Sequence, residues 1–72
     1  MKEAYWSDES KNLTRQYFSE NNVGCVKSKG LRYGILFKKT EDLSCMIKII
    51  KTDEILNFND LEEAIFDGWI LD

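Results

Sequence analysis

The side chains that could do chemistry here are two cysteines, thirteen carboxylates and ten bases, with no histidine among 72 residues. Without histidine the commonest general base is missing, and so is the middle member of a nucleophilic triad. Cys25 and Cys45 fall in strand-like stretches rather than at a helix N-terminus, where a thiol would be activated. Asp53-Glu54 and Glu62-Glu63 are sequence neighbours, which do not face each other on a helix and so make no acid–base pair. Two cysteines without a CxxC spacing cannot build a zinc site, and the scattered Gly24, Gly30, Gly34 and Gly68 form no phosphate-cradling loop. The residue types therefore point away from catalysis, metals and cofactors and toward binding.

Charge is the next source of chemistry. The net charge is −3, but unevenly spread. Residues 27–52 carry seven bases (Lys27, Lys29, Arg32, Lys38, Lys39, Lys48, Lys51) against Glu41 and Asp42, whereas residues 53–72 carry seven acids and no base. This pattern admits four readings. The charges can be ordinary solvated faces, or can draw subunits together. Arg32, Lys38 and Lys48 can contact nucleic-acid phosphates. Asp60, Glu63 and Asp67, spaced along one helix face, can imitate a phosphate backbone.

The elements that must position these groups follow from local pattern. Ser7 before Asp8 and Glu9 is a helix start, with a capping hydroxyl and acids where the helix dipole favours them. The first helix is expected over about 8–20, with Leu13, Tyr17 and Phe18 as its apolar stripe. Asn21-Asn22 ends it as residues that tolerate a left-handed cap. Tyr5 and Trp6 pack as a staple or a short arm. Strands follow at 23–29, 31–39 and 43–51, joined through Gly30 and through Thr40-Glu41-Asp42, which predicts an antiparallel meander. Asn59-Asp60-Leu61-Glu62 resembles a capping box, Phe58 is its staple residue and Gly68 suits the C′ position, so a second helix is expected over 60–67. Trp69-Ile70-Leu71 is left as an apolar tail. The expected architecture is α+β, a three-stranded antiparallel meander with two short flanking helices (α-β-β-β-α) in one domain over 1–72.

Alternation assigns Leu31, Tyr33, Ile35, Phe37, Leu43, Cys45, Ile47 and Ile49 to the face beneath the helices. The opposite face then holds Leu36, Met46 and Ile50 among Arg32, Lys38 and Lys48. Sheet-based RNA binders stack bases on exposed aromatics, and this assignment puts Tyr33 and Phe37 in the core, which weighs against nucleic acid. A chain this small buries only roughly 60% of its unfolded surface and often needs a staple. A middle strand separates Cys25 from Cys45, too far apart to bridge. No apolar run follows Met-Lys-Glu-Ala-Tyr-Trp as an export signal requires, and none is long enough to span a membrane, so a cytoplasmic protein with reduced thiols is expected. Oligomerisation is the staple that is left.

The stripe Leu13 and Tyr17 followed by a meander over 23–51 resembles, over about residues 8–51, the small YopT-like proteins of Gram-positive bacterial prophages. That resemblance implies one principal helix and three strands assembled as a homodimer. A second helix at 60–67 departs from it, and no functional residue carries over. The resulting expectation is a non-catalytic protein, phage- or prophage-derived as that resemblance implies, acting as a regulator or inhibitor by protein–protein contact. Its interface candidates are Val26, Leu36, Met46, Ile50, Trp69, Ile70 and Leu71. The alternative is a nucleic-acid-binding regulator using Arg32, Lys38 and Lys48.

Overall fold

The Ser7 side chain accepts a hydrogen bond from the Ser10 N–H, and this cap starts α1 (Asp8–Glu20), with Asp8 and Glu9 in its first turn. The structure, a computed structural model, describes residues 6–30, 32–39 and 41–72. The expectations placed on Tyr5, Leu31 and Thr40 therefore lie outside the described residues. After α1 come β1 (Val23–Ser28), β2 (Tyr33–Lys38), β3 (Cys45–Ile49), β4 (Ile55–Phe58), α2 (Leu61–Phe66) and β5 (Trp69–Leu71). The class is α+β, but the sheet has five strands rather than three, all antiparallel, in the order β4-β3-β2-β1-β5.

The two additional strands have clear causes. Leu56 and Phe58 alternate toward the core from β4, opposite Ile47 and Cys45. The tail Trp69-Ile70-Leu71 pairs with β1, setting Trp69 opposite Ser28 and Leu71 opposite Val26. A lone meander would leave one backbone edge of β1 unpaired, and a β-prone apolar segment nearby fills that edge. Val26, Trp69 and Ile70 are buried as a result, so none of them can form an exposed contact.

Both helices lie on one face of the sheet. That face carries Val26, Leu36, Cys45, Ile47, Ile49 and Trp69, with Phe18 of α1 and Ala64 of α2 packed against them. Cross-strand pairing of Leu36 with Ile47 and of Gly34 with Ile49 fixes β2 in this register. The side of β2 is thus the reverse of the sequence expectation: Leu36 is core, whereas Tyr33, Ile35 and Phe37 point away from the helices. Glycine explains the reversal. A Cβ on Gly34 would come within 2.8 Å of both the Ile47 side chain and the Lys48 carbonyl oxygen. A Cβ on Gly24 would come within 2.6 Å of the Tyr17 ring. A strand glycine marks where another group approaches closely; at Gly24 that group is the Tyr17 ring of α1, and at Gly34 it is the neighbouring strand β3.

The helix stripes differ from expectation as well. Thr14 and Phe18 are the buried residues of α1, Tyr17 is half-buried, and Leu13 is 53% exposed. Asn21 closes α1 in extended backbone, not a left-handed one, and its side-chain amide donates to the Tyr17 carbonyl. The cap of α2 is Asp60 rather than Asn59: its carboxylate accepts from the Glu63 N–H, and the Glu63 carboxylate accepts from the Asn59 N–H. Gly68 follows the C-cap Asp67 at φ 110°, the one glycine at positive φ among the described residues. Leu43 (φ 62°) and Asp53 (φ 61°) take the left-handed conformation in the turns on either side of β3, which starts at Cys45 and ends at Ile49, inside the expected 43–51; β2 runs from Tyr33 to Lys38.

Thr14 joins the two layers. Its hydroxyl donates to the Ser10 carbonyl and accepts from the Leu71 N–H at 2.9 Å, satisfying an edge donor of β5 from the helix above it. Thr14→Val keeps the shape and leaves that donor unpaired, at a cost of about 1–3 kcal/mol. Urea unfolding with intrinsic tryptophan fluorescence is expected to show this loss; an unchanged midpoint would remove Thr14 from the role.

Candidate functional site

The uncovered face of the sheet is assembled by register alone. One row across it reads Val23, Phe37, Met46 and Asn57, and the next reads Cys25, Ile35, Lys48 and Ile55. A third row runs from Ile70 through Lys27 to Tyr33, and Ile50 joins it through an N–H donated to the Tyr33 carbonyl; Ile70 is buried there, and the Lys27 ammonium lies 5.6 Å from the Trp6 ring centroid. The helices pack on the other side, where Tyr17 approaches Gly24 and Phe18 shares the core with Leu36. Large apolar side chains are therefore left in the open: Val23 and Tyr33 are each 47% exposed, Ile55 51% and Phe37 39%. Ile35 and Met46 are half-buried between them. On strand spacings alone the patch covers about 300 Å², the size of the largest apolar patch on an ordinary monomer, which is often a functional surface.

Of the interface candidates read from sequence, Met46 and Ile50 are on or beside this patch. Val26 and Leu36 belong to the opposite, covered face, and Leu71 is half-buried in β5. Residues the sequence reading missed are Val23, Cys25, Tyr33, Ile35, Phe37 and Ile55. The signal that could have found them was Gly34, which shares a side with Leu36.

The basic candidates do not converge. Lys38 lies on the covered side, where its ammonium donates to the Phe18 carbonyl in the last turn of α1, the place where a helix favours a cation. Arg32 stacks on Trp69, 5.5 Å from the ring centroid, and lies 4.0 Å from Glu54. Lys48 alone of the three stands on the open face, 3.9 Å from Asp53. The acidic helix is likewise occupied, since Asp60 and Glu63 cap α2. Glu62 forms a two-point pair with Arg15 at 2.7 and 2.9 Å.

That Arg15 hydrogen bond holds the Glu62 carboxyl below its ordinary range, with burial acting weakly against it. A depressed folded-state value contributes stability above the unfolded pKa and loses it as pH falls through the folded one. Both partners are well exposed, so the contribution is below about 1 kcal/mol. Glu62→Gln is expected to flatten the acid limb of a stability-against-pH curve over that window; an unchanged curve would show the bridge contributes nothing.

The thiols occupy opposite surroundings. Both are free; Cys45 is buried on the covered face and Cys25 is exposed on the open one. Burial pushes the Cys45 thiol up, away from thiolate chemistry. Among the described residues no group of three or more metal-ligating side chains converges, and no helix is long and apolar enough to cross a membrane.

Fold and surface together define a two-layer α+β protein with one helix-covered and one bare sheet face. No family model, curated protein or solved structure matches the chain. Maleimide labelling is expected to modify Cys25 at once in the native protein and Cys45 only on unfolding. Equal rates at both thiols would contradict the assignment of faces.

Proposed function

We propose that this chain is a non-catalytic docking protein that works by protein–protein contact through its open sheet face. The observation that carries this reading is the uncovered patch of Val23, Tyr33, Ile35, Phe37, Met46 and Ile55 on a small protein whose other face is fully used. The composition of the patch, aliphatic and aromatic with few charges, resembles the core of a protein interface. Tyr33 and Phe37 supply the kind of rigid aromatic contact that dominates such surfaces. The absence of histidine and the buried state of Cys45 support a role without chemistry. The sequence resemblance to the YopT-like prophage proteins is in keeping with a small regulator or inhibitor.

One observation favours a second reading. Tyr33 and Phe37 are exposed on a single strand with Lys48 beside them, so the sequence-level objection to base stacking no longer applies. Single-stranded nucleic acid binds such platforms through stacking and phosphate contact.

A photo-crosslinking amino acid in place of Phe37 or Ile55 separates the two readings. Protein adducts at these positions, with none from the same group placed at Leu13 on the helical side, are the expected result. Adducts to nucleic acid, together with salt-sensitive retention of a labelled oligonucleotide that Tyr33→Ala abolishes, would replace the first reading with the second.

A further inference from the structure

We infer that the end of the sheet where the β1–β2 and β3–β4 turns lie side by side is a binding site for a small apolar or aromatic carboxylic acid. The inference goes beyond the docking reading and stands without it, sharing with the open face only Tyr33 and Ile50. A cavity of about 430 Å³ lies at this end, lined by Arg32, Tyr33, Ile49, Ile50, Lys51 and Thr52. Small-molecule sites run from about 300 to 1,000 Å³, with mostly apolar walls and a few placed polar groups. Tyr33, Ile49 and Ile50 are the walls here.

Backbone pairing fixes the frame of the cavity. The Ser28 N–H donates to the Arg32 carbonyl, the Ile50 N–H to the Tyr33 carbonyl and the Asp53 N–H to the Ile49 carbonyl, each at 2.9 Å. The Thr52 hydroxyl accepts from the Glu54 N–H at 3.2 Å, which leaves its own proton to donate.

Arg32 is the group that points to a carboxylate. Its guanidinium lies over the ring of the buried Trp69, 5.5 Å from the centroid. Stacking uses the face of the guanidinium and holds its edge of N–H donors in one orientation. Arg15 commits the same edge to Glu62, at 2.7 and 2.9 Å. Arg32 makes no side-chain hydrogen bond among the described residues, and Glu54 at 4.0 Å is too distant to occupy the fork. Both of these side chains are about half exposed, so Glu54 is a weak competitor for the site. Lys51 also lines the cavity, is exposed, and has no charged partner among the described residues. A planar fork, an unpaired ammonium and a hydroxyl proton beside apolar walls complement a carboxylate on a hydrocarbon or aromatic body.

Charge favours a carboxylate over a phosphate. Arg32 and Lys51 line the cavity and Glu54 faces Arg32, which leaves one positive charge in excess. Lys48 and Asp53 pair with each other at 3.9 Å, and Lys29 of the β1–β2 turn lies instead against Gly68. A carboxylate neutralises that excess, whereas a phosphate monoester, at about −1.5 to −2 near neutral pH, overshoots it.

An NMR titration of the isotope-labelled full chain with phenylpropionate tests the site. Saturable shifts are expected at the Arg32 Nε–H and at the amides of residues 49–52, with a dissociation constant of about 1 mM or tighter. The neutral phenylpropionamide and the tail-less acetate are each expected to bind about 10-fold more weakly or worse. Arg32→Gln is expected to weaken phenylpropionate about 10-fold, and Lys51→Gln, on the exposed rim, about 3-fold. Glu54→Gln removes the competing carboxylate and is expected to tighten binding about 3-fold, a gain that a purely structural Arg32 would not give. No saturable shift by about 10 mM ligand, equal binding of acid and amide, or binding that survives both Arg32→Gln and Lys51→Gln would overturn the site. Tighter binding of phenyl phosphate than of phenylpropionate would overturn the choice of a carboxylate.

Discussion

Every strand has two backbone edges, and in an antiparallel meander the first strand finds a partner for only one. In this protein the second edge of β1 is filled by Trp69-Ile70-Leu71, and the fold depends on that pairing. It brings Trp69 onto the same side as Val26, Leu36 and Ile47 and ties α2 to the sheet through a single turn at Gly68. It also offers the Leu71 N–H to Thr14, so that α1 is fastened across the outer edge. The Trp6 indole N–H donates to the Gly68 carbonyl at 2.7 Å, adding a third attachment at the same corner. With both helices fastened to one side, the other is covered only at its β5 end, where Ile70 is buried and the Trp6 ring lies beneath the Lys27 ammonium. The bare face is thus a by-product of how the sheet edge is closed.

Much of this was legible in the letters. Ser7 as a cap, the span of α1, the three central strands and Gly68 at C′ follow from rules that act over a few residues. What could not be read was set by contacts distant in sequence. Alternation in 33–38 is nearly symmetric, with Tyr33, Ile35 and Phe37 on one side and Gly34, Leu36 and Lys38 on the other. Summed hydrophobicity favours burying the aromatics. The structure buries the side with the glycine, because backbone-close approach by Ile47 and Lys48 can be met only there. Lys38 follows Leu36 to the covered side and remains solvable there because the free Phe18 carbonyl accepts its charge. The tail 69–71 was invisible as a strand for the same reason: its partner is β1, far away along the chain.

The charges show a similar displacement from expectation. A basic middle and an acidic end suggest surfaces that reach outward, yet most of the groups singled out are engaged within the molecule. Arg15 holds Glu62, Arg32 lies on Trp69, and Asp60 and Glu63 close the first turn of α2. The acids of the C-terminal segment are paired from two places: Glu62 of α2 with Arg15 of α1, and Asp53 and Glu54 of the β3–β4 turn with Lys48 and Arg32. Exposed apolar side chains, Val23, Tyr33, Phe37 and Ile55 among them, distinguish the open side of this sheet from the helix-covered one.

The pairing of β5 with β1 also joins the residues of the sheet that lie farthest apart along the chain. β1 through β4 are joined by short turns and can zip together at small loop-closure cost, whereas Leu71 meets Val26 only after most of the chain has been drawn into a closed loop. Until that contact forms, α1 lacks its anchor on Leu71, and both sides of the young meander are wet and greasy. Such a species is sticky at high concentration. The same outward side chains that suit the finished protein to a partner make its last folding step the hazardous one, so association and aggregation draw on one surface and are separated only by whether the final strand has closed.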